Sequence, residues 1–234
     1  MPLKKETNMN LIKPKAIIFD WDSTLAITRP TVIKALEQTL AHFNKAPWEQ
    51  SKSLRQPLLS LKDNFPLIFG KDSNEAYQYY LKIYQFQNIR PSPHAQEFLE
   101  FCQAQNIDIS IVSNKEKSLL LEEVNLCYPD IRFSRILGHG DTAENKPSAS
   151  PVYAVLKNAP YPINPENVWL IGDSMPDTEC AYNANIQPIL VGHNIKDKAY
   201  LKEKRQATPP LIETENFNQL TLLLNDLTDS HINF

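Results

Sequence analysis

The chain has 234 residues, 42% hydrophobic and 22% charged, with a formal net charge of −3. That size and balance suit a soluble protein of one large domain, or a domain with a smaller insert. They leave no basic stretch for a nucleic-acid groove and no apolar run long enough for a membrane span. Cys102, Cys127 and Cys180 are odd in number and far apart, which fits buried thiols in a reducing compartment better than a disulfide framework. Lys4 and Lys5 are not followed by the apolar segment of a secretory signal, so a cytoplasmic location is expected.

Residues 1–14 are polar, end in a proline and read as a flexible leader. Residues 15–20 hold Ala16-Ile17-Ile18-Phe19, a short apolar run without helical period, expected as a buried strand. From Pro30 the period becomes helical, with Val32, Ile33, Leu36, Leu40 and Phe43 on one face and Thr31 as a candidate cap. Residues 47–61 and 73–89 read as two more helices, the second with a stripe of Tyr77, Tyr80 and Tyr84 that is expected to be core. No strand is expected between Ile27 and Arg90, and Pro91-Ser92-Pro93 closes the segment as a stiff linker. The chain then alternates: helix 94–105, strand 107–112, helix 115–126, strand 135–137, helix 148–157, strand 168–171, helix 177–184, strand 188–191. A short strand near 211–213 and a helix over 216–227 finish it. Alternation of this kind makes a parallel sheet with right-handed crossovers. The expected fold class is α/β: a Rossmann-like parallel sheet flanked by helices, built from residues 15–28 and 91–234, with residues 29–90 inserted as a small α-helical cap domain.

Four short stretches carry chemistry. Asp20-Trp21-Asp22-Ser23-Thr24 follows the first strand, and Ser113-Asn114 follows the strand ending at Val112. Lys146-Pro147 opens a helical pattern, and Gly172-Asp173-Ser174-Met175-Pro176-Asp177 follows Val168-Trp169-Leu170-Ile171. Three of the four begin where a buried strand ends, the edge at which open parallel sheets bind ligands. Asp22 lies two residues after Asp20, on the same face of an extended segment, whereas Trp21 alternates away into the core. Each stretch alone is weak evidence; the four in this order are strong.

In order and context these motifs resemble those of the haloacid dehalogenase superfamily, in its phosphoglycolate phosphatase and β-phosphoglucomutase branch, over roughly residues 16–192. The resemblance implies a Mg²⁺-dependent phosphatase acting on a small phosphorylated metabolite through an aspartyl-phosphate. Asp20 would be the nucleophile, and Asp22 the acid and base. Ser113, Asn114, Lys146 and Thr24 would serve the phosphate and its loop. Asp20, Asp173, Asp177 and Asp22, the last through its backbone carbonyl, would hold the metal. Asp22 is expected to be packed among the other carboxylates. Two alternatives stand beside this reading: a sugar-phosphate mutase of the same fold and a non-catalytic phosphate-binding protein. No second phosphate site is seen in the cap sequence. No nucleic-acid or membrane partner is expected, and substrate identity and oligomeric state stay open.

Overall fold

The computed structural model describes residues 11–193 and 195–229. Residues 1–10, most of the leader, lie outside them. Residues 11–14 have no regular secondary structure, but Lys13 donates to the Gln105 side chain at 3.0 Å.

Strand β1 (Ala16–Phe19) is buried along its whole length, as an apolar run covered on both faces must be. It lies inside a six-stranded sheet ordered β5 (Ile136–His139), β4 (Asp108–Glu116), β1, β6 (Val168–Gly172), β7 (Gln187–Val191), β8 (Ile212–Thr214). All of these pairings are parallel. Successive side chains of β1 enter different apolar clusters. Ile17 and Phe19 pack on one side with Phe98 and Leu220; Ala16 and Ile18 pack on the other with Val152 and Cys180. Helices α5 (Ala95–Ala104), α6 (Lys117–Cys127), α7 (Ser150–Val155), α8 (Met175–Asn183), α9 (Lys198–Arg205) and α10 (Phe217–Asp229) accompany the strands.

The chain leaves β1 for β4 on one side and later returns to β6 on the other. Phe19 is level with Ile111 and with Ile171, so Asp20, Ser113 and Asp173 emerge together at the switch point of the sheet, where a crevice opens.

The segment between β1 and α5 is helical, as expected: α1 (Arg29–His42), α2 (Trp48–Ser51), α3 (Leu61–Phe69) and α4 (Ser73–Ile83). At its base a two-residue ribbon, β2 (Ala26–Ile27) against antiparallel β3 (Arg90–Pro91), joins the entering and leaving chains. Tyr77, Tyr80 and Tyr84 are buried.

Several elements differ from expectation. The helix over 47–61 stops after α2 and one further turn, because Pro57 disfavours helix at the residue before it and Arg55 is already extended (φ −74°, ψ 142°). Asn64 ties down the loop that follows, its amide donating to the Gln56, Leu59 and Ser60 carbonyls and its oxygen accepting from Gln56 N. Helix α3, hidden in the sequence by Pro66, starts where Asp63 N donates to the Ser60 hydroxyl (3.0 Å). α4 ends at Ile83 rather than 89; Tyr84 turns extended and its hydroxyl reaches Glu123 (2.7 Å). Charge-rich α9 buries only Leu201 and so shows no apolar period; Asp197 caps it. β4 runs to Glu116, making Lys115 a strand residue instead of the first residue of a helix. Cys102, Cys127 and Cys180 are free and buried. Among the described residues no helix is long and apolar enough to cross a membrane.

Candidate active site

Asp20 leaves the end of β1 into a pocket where it is only 7% exposed. The Lys146 ammonium donates to Asp20 Oδ1 at 2.6 Å, to Asp177 Oδ1 at 2.7 Å and to the Val112 carbonyl at 2.8 Å. An ammonium has three protons, and these three acceptors match them. The loop bearing Lys146 is held from β4: Asn114 Nδ2 donates to the Lys146 carbonyl (2.7 Å) and Asn114 Oδ1 accepts from Lys146 N (3.0 Å). Asn114 therefore positions the lysine backbone, although it also lines the cavity.

Carboxylate oxygens of Asp20, Asp173 and Asp177 lie within 4.8 Å of one another, all three residues buried. Three acids share this pocket with one ammonium. Burial foremost, and then the charge of Asp177, push the Asp20 carboxyl up to about 8, against the pull of Lys146. Burial draws Lys146 down, but Asp177 and Asp20 outweigh it and the net shift is upward. A buried cluster with excess negative charge and oxygen-only donors fits a hard divalent cation. Within it, Asp177 is heavily engaged. Its Oδ1 is on Lys146, and its Oδ2 accepts from Ser174 N (3.1 Å) and from the Ser174 hydroxyl, the capping box that starts α8. Gly172 makes room for this: a Cβ there would lie 2.4 Å from Asp177 Cβ.

Asp22 sits apart from that cluster, and this corrects the expected packing among carboxylates. Its Oδ1 accepts from the Thr28 hydroxyl and from the Lys115 ammonium at 2.9 Å. Its side chain is thus not one of the clustered candidate ligands; the backbone carbonyl is the group assigned to the ion from the sequence. Lys115 is buried and also meets Glu123 Oε1 (3.0 Å) and the Tyr84 hydroxyl (3.0 Å). Trp21 Nε1 donates to the other Glu123 oxygen. Burial lowers Lys115, yet Asp22 and Glu123 carry it above its ordinary value. Thr24 does not line the cavity, and its buried hydroxyl has no hydrogen-bond partner. Ser113 does line it; its hydroxyl accepts from Lys115 N.

Lys115, Thr28, Glu123 and Tyr84 were missed by sequence reasoning. One signal was available for Lys115: it lies two residues after Ser113, on the same face of an extended strand. Thr28, six residues beyond Asp22, offered none.

The cap lies against the strand ends. Lys62 pairs with Glu116 (3.3 Å), Tyr77 donates to Glu116 (2.9 Å), and His139 Nε2 lies 3.3 Å from Asp63 Oδ1. Between cap and sheet is a cavity of about 330 Å³, which reaches Asp20, Asp22, Ser113, Lys146, Asp173 and Asp177 on the sheet side.

Residues 17–191 match the family model of haloacid dehalogenase-like hydrolases. Among curated proteins, pyrophosphatase PpaX of Oceanobacillus iheyensis is 28% identical over 195 residues, covering 80% of this chain and 88% of that one. Phosphoglycolate phosphatase of Aquifex aeolicus is 25% identical over 180 residues, 75% and 84% of the two chains. Among solved structures, a haloacid dehalogenase-like hydrolase of Bacteroides fragilis shares the fold at a TM-score of 0.75 and 21% identity, covering 89% of this chain and all of its own. A HAD-superfamily hydrolase of Ehrlichia chaffeensis aligns at a TM-score of 0.61 and 27% identity, covering 93% and 99%. With its match spanning most of the sequence, and its strand-end acids and lysine gathered at one switch point, the chain belongs to the haloacid dehalogenase-like hydrolase family.

Proposed function

We propose that the protein is a Mg²⁺-dependent phosphatase that hydrolyses a small phosphorylated metabolite through an aspartyl-phosphate at Asp20. The observation that carries this reading is the placement of Asp20 on Lys146 in the same cavity as Asp22, with Asp173 and Asp177 alongside. The names of the curated relatives, a phosphoglycolate phosphatase and a pyrophosphatase, point the same way.

Magnesium held by Asp20 and Asp173, with the Asp22 carbonyl and Asp177 in support, would screen the repulsion between carboxylate and phosphate dianion. In the first step an Asp20 oxygen bonds to phosphorus as the ester P–O bond breaks, and Asp22 supplies a proton to the leaving oxygen. In the second, Asp22 takes a proton from water as the water oxygen bonds to phosphorus, releasing phosphate and restoring Asp20. Lys146 holds Asp20 in line, and Ser113 offers a hydroxyl to the phosphoryl oxygens. Burial of the pocket under the cap limits competing water.

Removal of divalent metal is expected to abolish phosphate release from a panel of monoesters, and Mg²⁺ to restore it; full activity in excess chelator would overturn the reading. Turnover in ¹⁸O-water tests the acceptor. Label in released phosphate supports hydrolysis, whereas transfer to a second sugar hydroxyl with little free phosphate would replace it with the mutase.

A further inference from the structure

Glu123 is a carboxylate where packing alone would place a hydrocarbon. It stands on α6, fully buried, beside Leu119, Leu120 and Val124 of the main apolar cluster. Both of its oxygens are engaged, by groups from three other parts of the chain. Oε2 accepts from Trp21 Nε1. Oε1 accepts from the Tyr84 hydroxyl at 2.7 Å and lies 3.0 Å from the Lys115 ammonium. Two of these groups lead to Asp22. Trp21 is the residue between Asp20 and Asp22; its ring is buried and packs edge-on against Tyr128. Lys115 donates to Asp22 Oδ1 at 2.9 Å. Glu123 thus holds the Asp22 turn twice, through the neighbouring indole and through the ammonium on the carboxylate. The turn needs holding. The Asp22 side chain is 37% exposed, so its hydrogen bonds place it rather than packing. Ser23, which follows, has a left-handed backbone (φ 65°), uncommon for a residue with a side chain. Replacing a buried ion pair by apolar side chains is often neutral to stability, so stability alone gives no reason for a glutamate at 123. Fixing a donor in one place for Asp22 does.

We propose that Glu123 is a positioning residue for the acid step: by holding Trp21 and Lys115 it fixes the Asp22 carboxylate where the leaving oxygen departs. Glu123 does not line the cavity; its effect passes through the two groups it holds. The role rests on the phosphatase reading above, in which Asp22 protonates the leaving oxygen.

Two esters test this with Mg²⁺ present, 2-phosphoglycolate and 4-nitrophenyl phosphate. An alkoxide must be protonated as it leaves, whereas nitrophenolate leaves without a proton. Glu123→Gln keeps the shape of the side chain but removes its charge and one of its two acceptors. It is expected to lower kcat/KM for 2-phosphoglycolate about 10- to 100-fold, up to the cost of a misplacement near 1 Å, and to leave 4-nitrophenyl phosphate nearly unchanged. Placed on top of Asp22→Asn it is expected to cost almost nothing more, since groups that act as a unit are not additive. Equal losses on both esters, or the full loss retained in Asp22→Asn, overturn the proposal and leave Glu123 a structural residue. If Glu123→Gln does not fold, Tyr84→Phe decides, because it takes a single hydroxyl from Glu123 and Lys115. A lowered alkyl-to-aryl ratio supports the role and an unchanged ratio overturns it. A ratio moved by Asp22→Asn but not by Glu123→Gln sinks the positioning role alone. A ratio moved by neither sinks the acid assignment of Asp22, and a crystal structure of Glu123→Gln then decides without turnover. An Asp22 carboxylate displaced from Lys115 keeps the holding role; an unmoved one overturns it.

Discussion

Two buried ammonium groups share four acids of the site between them. Lys146 serves Asp20 and Asp177, and Lys115 serves Asp22 and Glu123. Breaking a buried pair by removing one partner costs about 3–5 kcal/mol, because the remaining charge stays buried. Lys115→Met is therefore expected to destabilise the protein by that order in urea unfolding; an unchanged midpoint would show that Glu123 and Asp22 do not depend on it. The acid role proposed for Asp22 makes a different demand. Asp22→Asn is expected to slow alkyl phosphate hydrolysis by about 10²–10⁴-fold and to slow aryl phosphates, whose leaving oxygen needs no proton, far less in kcat/KM. Equal losses on both classes would remove the acid from the scheme. Asp20, Asp22 and Asp173 could be singled out because strand ends are legible, and Lys146 because it opens a helical pattern in the same motif order. Lys115 was not singled out, because β4 continues to Glu116, beyond the apolar run that ends at Val112.

Strand ends and helix starts do most of the positioning between elements. α8 starts with Ser174 and Asp177 capping each other, and the same Asp177 holds Lys146. Gly172 admits that aspartate by having no Cβ. Gly172→Ala is expected to displace Asp177 and with it Lys146, lowering kcat by about 10²-fold, the usual cost of a misplacement near 1 Å. Wild-type turnover in this variant would show that the lysine is set from elsewhere. In the cap, Ser60→Ala removes the cap of α3 and should cost about 1 kcal/mol, measurable as a lower urea midpoint. The cap meets the sheet through polar pairs, Lys62 and Tyr77 on Glu116 and Asp63 beside His139, and shares one apolar cluster with it. We expect the segment 29–90 to open on the microsecond to millisecond scale, as lids do; flat relaxation-dispersion profiles across it would count against a moving cap.

Across the whole molecule the net charge is small, but the acids of the site are crowded beneath the cap. With Asp20 raised from 3.8 to about 8, the metal-free folded state keeps a proton that the unfolded chain releases. The stability this contributes is fully present below about pH 4 and is lost as pH rises towards 8. The metal-free protein is accordingly expected to lose Tm over that range. If the pocket holds Mg²⁺ as proposed, the ion binds the folded state alone, and its stabilisation should be largest at the upper end, where the pocket is most anionic. A Tm that rises with pH in chelator, or that ignores Mg²⁺ at pH 8, would contradict the charge distribution described for the pocket.

The sequence by itself determined the parallel α/β order, the helical insert and the four motifs, three of them at strand ends, because apolar period and the residues that follow a buried run are local properties. Only the tertiary structure decided which acid meets which cation. Lys146 reaches Asp20 across 126 residues and Lys115 reaches Asp22 across 93. No local pattern encodes such a contact, since it depends on how strands and cap pack together.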